Sequence, residues 1–328
     1  MIDAALSTPN RVTLALYGAP HLGDALCATS LPRLLTTHRR WQVYMTKQQD
    51  SVASAFANNP YVCDFVDGWT IDPFTRLRGS GHIIQRLQQA FGLPVQLTPK
   101  PEVYLSEQEL DWAHEQRSDW PPNKPVCIFS LRVLTDIGSF NFWKVDWTAL
   151  AKEWSKHCTI IQPVLTQPKL YENQVSSLPV AMVQSWEPEP ILPDAVVYRN
   201  LSVRQYLSLF AVADYFCGGT SGGSHAAAAF GLPSLIVVWR ALLRRLRFPC
   251  RDPHLAPGIF IYPQHRHIEG DRICLPHADQ GEIKRAVKQV VAGYSGNVIS
   301  RYSPADRTMM VRNARGALRR LPRSRVST

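Results

Sequence analysis

Short apolar runs bounded by turn residues alternate along the chain with longer segments whose apolar residues recur at helical spacing. The apolar runs predict strands at RVTLALY (11–17), WQVYMT (41–46), YVCDFVD (61–67), PVCIFSL (125–131), CTIIQP (158–163), YFCG (215–218) and PSLIVVW (233–239). Helices are predicted between them at HIIQRLQQAF, WTALAKEWSKH and VRQYLSLFAVAD. This alternation is typical of the α/β class, in which helices cover both faces of a parallel sheet.

The domain organisation follows from the same pattern. The alternation occurs once before about residue 160 and again after it, and 328 residues exceed what one hydrophobic core usually organises. We therefore predict an N-terminal domain over 1–160 and a second domain over 161–300. The proline-dense segment 176–198 is predicted to be irregular. Residues 301–328 open with a Pro-Ala-Asp helix-start signal and are predicted to form a basic amphipathic helix.

Charge and cysteine usage narrow the class of protein. The formal net charge of +10 favours anionic partners, which include nucleic acid, anionic lipid and nucleotide-bearing small molecules. The seven cysteines form no Cys-x-x-Cys pair, which indicates reduced thiols and neither a disulfide framework nor a zinc site. The N-terminal MIDAALSTPN lacks the features of a secretory signal, and no apolar run is long enough to span a bilayer. A cytoplasmic protein is therefore expected.

The first candidate motif lies in YGAPHLGDALCATSLPRLL (17–35), where a strand is followed by a turn bounded by Gly18 and Gly23 and then by a helix. A phosphate-binding P-loop would continue with lysine and then serine or threonine, whereas this chain continues with Asp24 and Ala25. The carboxylate would repel a phosphate, so a P-loop hydrolase is disfavoured. Asp24 is either a helix N-cap or an acidic group at the ligand-binding end of a strand.

The second candidate motif is CGGTSGGSHAAAAFGLPSLIVVW (217–239), where a strand ends in small residues and an alanine-rich helix begins. Glycines let backbone amides approach a ligand closely, and the hydroxyls of Thr220, Ser221 and Ser224 add donors at a positive helix terminus. These features predict a cradle for a phosphate or diphosphate. The simpler alternative is a flexible turn capped by Ser224.

A loop between a predicted strand and helix carries two cations, Arg132 and Lys144. Either cation can neutralise a phosphate, and either can equally be a solvated surface charge. The sequence contains no Asp-x-Asp, the acidic metal anchor of metal-dependent sugar transferases. We therefore expect no metal and no cofactor at this site.

In this order and separation, the two motifs resemble those of glycosyltransferase family 9, the ADP-heptose:lipopolysaccharide heptosyltransferases and their relatives. HLGDALCATSLPRLL matches the family's N-terminal loop, which ends in Gly-Asp before a helix, and YLSLFAVADYFCGGTSGGSHAAAAFGLP follows the order of its second-domain motif. There are two departures. Thr220 replaces the family's loop aspartate, and Asn141 falls near its phosphate-contacting lysine.

The resemblance implies a GT-B fold, in which two Rossmann-like domains with parallel sheets face a central cleft. Such an enzyme moves a sugar from a nucleotide-diphosphate sugar to an acceptor hydroxyl, with inversion and without a metal. The implied catalytic base is Asp24, and the implied acceptor-side loop includes Gly18, His21 and Gly23. The implied diphosphate site comprises Gly219, Thr220, Ser221, Gly222, Gly223, Ser224 and His225, with Lys144 or Arg132 as the nearby cation.

The residues do not identify the molecule that accepts the sugar. The leading interpretation is a lipid-linked or envelope glycan, such as lipopolysaccharide, at the inner face of the cytoplasmic membrane. The basic segment 239–248 and the terminal arginine-rich helix suit contact with anionic lipid, and they equally suit a solvated basic face. A second hypothesis is glycosylation of hydroxylated bases in modified DNA. A third is a non-catalytic GT-B-like protein that binds sugar nucleotides or nucleic acid.

Overall fold

The computed structural model describes residues 11–16, 22–46, 50–67, 70–77, 81–131, 144–164, 189–238, 262 and 265–293. The strands in these ranges are β1 (Arg11–Leu14), β2 (Gln42–Thr46), β3 (Val62–Val66), β4 (Val126–Ser130), β5 (Thr159–Val164), β6 (Val196–Arg199), β7 (Tyr215–Gly219), β8 (Ser234–Val238) and β9 (Arg266–Glu269). The helices are α1 (Leu22–Ala28), α2 (Leu31–Arg39), α3 (Asp50–Phe56), α4 (Ile83–Ala90), α5 (Glu107–Ser118), α6 (Trp147–Trp154), α7 (Val203–Val212), α8 (Gly222–Phe230) and α9 (Gln280–Ala292).

The larger sheet contains six parallel strands in the order β6-β5-β4-β7-β8-β9. Numbered along the chain, this is the 3-2-1-4-5-6 order of a Rossmann sheet. The strand order reverses between β4 and β7, and open α/β sheets bind ligands at that point, beyond the carboxyl ends of the strands. In this sheet those ends are Ser130 of β4 and Gly219 of β7.

The smaller sheet contains β1, β2 and β3, which are also parallel. On the other side of β1, Leu14 forms a parallel bridge with Ile71. The Ile71 N–H donates to the Thr13 carbonyl over 2.8 Å, and the Ala15 N–H donates to the Ile71 carbonyl over 3.0 Å. β1 is therefore paired on both sides, and α1 begins beyond its carboxyl end.

Side chains of the six-stranded sheet alternate between two apolar cores, one on each face. On β4, Cys127 and Phe129 enter the core beneath α6 and α9, whereas Val126 and Ile128 enter the opposite core. The opposite core also contains residues of α7, α8, α1 and the smaller sheet, among them Leu14. Two parallel sheets covered by helices confirm the predicted fold class, and one shared core joins them.

A charged contact also joins the two halves. Arg204 of α7 donates two hydrogen bonds of 2.6 Å to the carboxylate of Glu109 on α5. The same guanidinium donates to the carbonyls of Ser54, over 2.9 Å, and Tyr104, over 2.6 Å. Arg204 therefore ties α7, which packs on the six-stranded sheet, to two segments that precede that sheet in the chain.

The seven predicted strands are present, and two further strands, β6 and β9, were not predicted. Both lie at the edges of the six-stranded sheet, where side chains are partly exposed and no apolar run is required. β6 begins inside the segment 176–198 that was predicted to be irregular. Pro32 occupies the first turn of α2, a helix separate from α1.

The sheets divide the chain earlier than the predicted boundary near residue 160. That boundary assigns β4 to the N-terminal domain, whereas β4 pairs with β5 and β7 at the centre of the six-stranded sheet. The change of sheet therefore falls between β3 and β4. The predicted helix over 301–328 and the basic segment 239–248 lie outside the described residues. No helix in the described part of the chain has the length and apolar character needed to cross a bilayer.

Candidate active site

Asp24 lies in the first turn of α1, shortly after β1. The helix begins at Leu22, so Asp24 is its third residue and not the N-cap. Burial raises the pKa of Asp24 from 3.8 to about 6, because a carboxylate loses hydration when it leaves water. At neutral pH the group is still largely ionised, and it is a stronger base than an exposed aspartate. These properties suit a group that accepts a proton from a substrate hydroxyl.

The loop between β7 and α8 is organised by two serines. Ser221 is the N-cap of α8, and its hydroxyl accepts a hydrogen bond from the Gly223 N–H over 3.3 Å. The Ser224 hydroxyl accepts from the Ser221 N–H over 3.2 Å and donates to the Ser221 carbonyl over 2.8 Å. Both hydroxyls are thus engaged within the loop. Among the described residues, no hydrogen-bond partner is seen for the Thr220 hydroxyl or the Gly222 N–H.

The glycines of this loop serve different purposes. A Cβ on Gly223 would lie 2.7 Å from the Tyr206 hydroxyl and 2.8 Å from the Phe216 ring. A Cβ on Gly218 would lie 2.5 Å from the Ser130 carbonyl oxygen. Packing within the protein therefore accounts for these two glycines. Gly222 differs, since the nearest described atoms to a Cβ there belong to the Leu22 side chain, at an ordinary distance of 3.4 Å.

The first turns of α1 and α8 are in direct contact. A Cβ on Gly23 would lie 3.0 Å from Cδ2 of His225 and 3.4 Å from the Gly222 nitrogen. Gly222 in turn faces Leu22. The two predicted motifs, almost 200 residues apart in sequence, therefore meet at the carboxyl ends of the two sheets. The contact places the turn that carries Asp24 against the positive end of the α8 dipole.

His225 is buried beneath this contact. Its Nδ1 lies 2.7 Å from the Tyr262 hydroxyl and 3.5 Å from the Cys27 sulfur. Burial lowers the pKa of His225 from 6.5 to about 4, so the imidazole is neutral at physiological pH. The side chain therefore supports the junction from within the protein.

Two further histidines surround Tyr262. The ring of His82 lies 4.3 Å from the Tyr262 ring, centroid to centroid, and the ring of His265 lies 5.2 Å away. Burial and the neighbouring histidines lower the pKa of each to about 3. His82 Nδ1 caps α4 by accepting from the Ile84 N–H. Among the described residues, His82 Nε2 and both ring nitrogens of His265 have no hydrogen-bond partner.

Sequence reasoning missed this cluster, which we call the histidine cluster and define as His82, His225, His265, Tyr262 and Cys27. Its members are separated by up to 238 positions, and no local motif links them. In the described ranges, no group of three or more histidine, cysteine or carboxylate side chains is arranged to hold a metal ion.

The remaining predicted site residues are less informative. Lys144 is exposed just before α6, and its backbone carbonyl accepts a hydrogen bond from the Leu275 N–H. Within the described part of the chain, no hydrogen bond or ion pair joins the Lys144 side chain to the β7–α8 loop. Arg132, Gly18 and His21 lie outside the described residues, as does Asn141.

Comparison with known proteins assigns the architecture. No protein-family model matches the sequence, and no curated protein matches it significantly. Among solved structures, however, the chain has the fold of GT-B glycosyltransferases, with two Rossmann-like halves that meet at the candidate site.

Three solved structures illustrate the likeness. ADP-heptose lipopolysaccharide heptosyltransferase II of E. coli is 13% identical, with a TM-score of 0.53 over 86% of this chain and 98% of that one. A family 9 glycosyltransferase of Veillonella parvula is 12% identical, with a TM-score of 0.53 over 94% and 97%. The iron-containing dodecameric glycosyltransferase TibC of enterotoxigenic E. coli is 13% identical, with a TM-score of 0.50 over 94% and 79%. At these identities the likeness establishes the fold.

Proposed function

We propose that the protein is an inverting glycosyltransferase that moves a sugar, heptose or a close relative, from a nucleotide-diphosphate sugar to an acceptor hydroxyl. The observation that carries the proposal is the contact between the turn bearing Asp24 and the first turn of α8. This contact brings a partly buried carboxylate to the end of the sheets where α/β proteins bind nucleotides. The GT-B fold and its likeness to heptosyltransferases support the same conclusion.

In the proposed reaction, the Asp24 carboxylate accepts the proton of the acceptor hydroxyl while that oxygen attacks the anomeric carbon. The bond between the anomeric carbon and the diphosphate oxygen breaks, and its electron pair leaves with the nucleoside diphosphate. Attack from the face opposite the leaving group inverts the anomeric configuration. The pKa of about 6 supports Asp24 in this role, because it lies close to the pH at which the base must act.

The departing diphosphate gains negative charge, which the start of α8 is suited to stabilise. The Gly222 N–H and the Thr220 hydroxyl are the donors not used within the described loop, and the helix dipole adds positive potential. We propose that these groups bind the diphosphate without a metal ion. Lys144, which is exposed, and Arg132 are the proposed supplementary cations.

The proposed acceptor is a glycan of the cell envelope, such as lipopolysaccharide, reached from the cytoplasmic side of the membrane. Two structural neighbours support this proposal. One is named as an ADP-heptose lipopolysaccharide heptosyltransferase, and the other is a heptosyltransferase solved in complex with an ADP-heptose. The positive net charge is compatible with an anionic acceptor or membrane surface.

The decisive experiment incubates the full chain with ADP-, UDP-, GDP- and CMP-sugars, and measures both the shift in melting temperature and the release of nucleotide. Acceptors are an envelope glycan extract and, in a parallel arm, duplex DNA with hydroxymethylated bases. We expect one nucleotide class to stabilise the protein and to be consumed with the glycan. We expect Asp24→Asn to keep the stabilisation and to lower release at least about 100-fold.

Other outcomes separate the alternatives. Consumption only with modified DNA would replace the envelope acceptor by a nucleic acid. Stabilisation by a nucleotide sugar with no turnover on any acceptor, and no effect of Asp24→Asn on cellular function, would identify a binding protein. No response to any nucleotide sugar would refute the transferase proposal.

A further inference from the structure

The loop that follows α4 carries the most exposed large apolar side chain in the described part of the chain. Leu97 is 97% exposed, and Val95, two residues before it, is 43% exposed. Pro94 is exposed as well. A single exposed leucine needs no explanation, but three exposed apolar residues within four positions form an apolar projection. We call Pro94, Val95 and Leu97 the apolar tip.

Hydrogen bonds to α4 hold the loop in place. The buried side chain of Gln88 accepts a hydrogen bond from the Gln96 N–H over 2.8 Å. The side-chain amide of Gln85 donates to the Gln96 carbonyl over 2.9 Å. Both backbone groups of Gln96 are therefore bound to α4, and Pro99 is buried three residues later. The fold itself thus holds Leu97, between these two points, out in solvent.

The sequence around the apolar tip is basic and lacks carboxylates. Residues 25–46, which include α2, contain three arginines and neither aspartate nor glutamate. Residues 73–101, which include α4 and the tip, contain three arginines, one lysine and again neither acid. The first carboxylate after the tip is Glu102, which forms an ion pair with Arg33 over 2.6 Å. This part of the surface is therefore more positive than the chain as a whole.

Three of these cations lie close to the tip in the chain or in the fold. The Arg39 guanidinium donates to the Gly92 carbonyl over 2.8 Å, at the start of the loop. Arg40, the next residue, is exposed. Lys100 is exposed three residues after Leu97. The apolar tip is thus accompanied by positive charge at both ends of the loop.

An apolar projection beside cations matches the surface of an anionic bilayer, where acyl chains accept apolar side chains and headgroup phosphates attract Lys and Arg. We propose that the apolar tip, with Arg39, Arg40 and Lys100, docks the protein on an anionic lipid membrane. The tip suits a protein partner less well, because a stable protein–protein interface buries on the order of 1,600 Å² in total. Three protruding residues supply only a small part of such an area.

The docking surface is built on elements that also carry the candidate site. α4 begins after its N-cap His82, which belongs to the histidine cluster beneath that site. The Thr29 hydroxyl, directly after α1, accepts a hydrogen bond from the Glu102 N–H over 2.8 Å. Docking would therefore bring the half that contains Asp24 to the membrane. The benefit for a lipid-linked acceptor rests on the proposed glycosyl transfer, whereas the docking itself does not.

Cosedimentation of the full chain with lipid vesicles tests the surface. We expect binding to vesicles of phosphatidylglycerol mixed with phosphatidylcholine, weaker binding as salt is added, and little binding to phosphatidylcholine alone. Leu97→Ser should lower the partition coefficient about fivefold, and Lys100→Glu should lower it about tenfold at low salt. The matched controls are Leu275→Ser, at a leucine that is 55% exposed, and Lys288→Glu, at an exposed lysine of α9. Both controls should bind nearly as the wild type does.

Equal binding by Leu97→Ser and the wild type would overturn the inference, because net charge alone would then explain the attraction. An equal loss of binding in the two controls would overturn it for the same reason, as would a wild type that binds neither kind of vesicle. Sedimentation velocity tests the other occupant. If Leu97→Ser dissociates an oligomer and leaves vesicle binding unchanged, the tip is a contact between copies of this chain and the lipid proposal is wrong.

Activity separates this inference from the proposed function. Leu97→Ser should transfer sugar to a water-soluble acceptor at the wild-type rate, and should be slower about fivefold with an acceptor embedded in anionic vesicles. Equal rates on the embedded acceptor would show that docking does not serve the reaction. Vesicle binding that depends on Leu97, in a protein that consumes no nucleotide sugar, would refute the proposed transfer and leave the docking surface standing.

Discussion

Gly23 of α1 and His225 of α8 face each other so closely that a Cβ on Gly23 would lie 3.0 Å from Cδ2 of the imidazole. The two residues belong to helices that follow strands of different sheets. A glycine at this position lets the two first turns touch, and any side chain would separate them. The junction of the two halves is therefore sensitive to side-chain volume at Gly23, the residue next to Asp24.

Gly23→Ala should displace the turn by a few tenths of an ångström, because His225 is buried and held by Tyr262. We expect a loss of about 1 kcal/mol in the free energy of unfolding, as for modest overpacking, and a decrease in transfer of about tenfold or more. Urea denaturation and nucleotide release measure the two effects. Gly222→Ala is the comparison for stability, since a Cβ there meets Leu22 at an ordinary distance. Equal destabilisation by both substitutions would contradict this reasoning.

Asp24→Asn should stabilise the protein while it abolishes activity. The pKa of Asp24 is about 6 in the fold and 3.8 as an unperturbed group, so the unfolded chain releases this proton first as pH rises. The free energy of unfolding therefore falls as the pH rises from about 4 to 6. At neutral pH the ionised carboxylate lowers it by up to about 3 kcal/mol. The asparagine variant should melt several degrees higher near pH 7.5.

The pH dependence provides the control for this variant. The stabilisation by Asp24→Asn should be about half as large near pH 5, where the penalty on the carboxylate has only partly developed. A melting temperature at or below that of the wild type near pH 7.5 would show that the folded protein does not disfavour the ionised carboxylate.

The histidine cluster should make the fold sensitive to acid. The pKa values of His82 and His265 are about 3, and that of His225 is about 4, against 6.5 for an unperturbed histidine. The unfolded chain therefore binds up to three more protons below about pH 6.5. The stability that these neutral rings confer is complete above that pH and is lost as the pH falls toward 3 or 4. Where all three histidines are protonated in the unfolded chain and neutral in the fold, the free energy of unfolding changes by about 4 kcal/mol per pH unit.

His265→Phe should reduce this slope by about a third, because it removes one of the three groups and keeps an aromatic ring beside Tyr262. The measurement is the unfolding free energy in urea at a series of pH values from 7.5 downward. His38→Ala, at an exposed position, is the control and should follow the wild-type curve. An unchanged slope in His265→Phe would mean that His265 takes up its proton equally well in the folded state.

Arg204→Met should destabilise the contact between the two halves. Burial alone would raise the pKa of Glu109, but the hydrogen bonds and charge of Arg204 outweigh it and hold that pKa below its usual value. Loss of the guanidinium leaves a partly buried carboxylate without its cationic partner, although Asn58 and the Ser106 N–H still donate to it, and we expect this to cost about 2–4 kcal/mol in urea denaturation. Glu109→Gln, which retains an acceptor for Arg204, should cost less. The reverse order would show that the packing of Arg204, and not its charge, stabilises the contact.

The sequence was sufficient for the parts of the fold that are built from local patterns. β4 and β8 are continuous apolar runs because both of their faces are buried, and such runs are recognisable without a structure. Asp24 and the segment Gly219–His225 are recognisable because helix starts, glycines and hydroxyls cluster along the chain. Edge strands such as β9 have one exposed face and leave no comparable signal.

The histidine cluster could not have been predicted from local patterns. His82 caps α4, His225 lies within α8, and Tyr262 and His265 come from a later segment, so only the tertiary fold brings them together. The contact of Arg204 with Glu109 has the same origin, since the two residues are 95 positions apart. Their side chains look like ordinary surface charges in the sequence.

The position of β4 at the centre of the six-stranded sheet determines how this protein can be recombined with its structural relatives. A chimera that exchanges C-terminal halves at residue 160 would cut β5 and would leave out β4, its central neighbour, so the sheet would be incomplete. The segment 119–125, between α5 and β4, contains Pro121, Pro122 and Pro125 and interrupts no strand or helix. A crossover in this segment keeps the six-stranded sheet whole. Glu109 and Arg204 would then come from different parent proteins, so their contact must be preserved by the choice of residues at both positions.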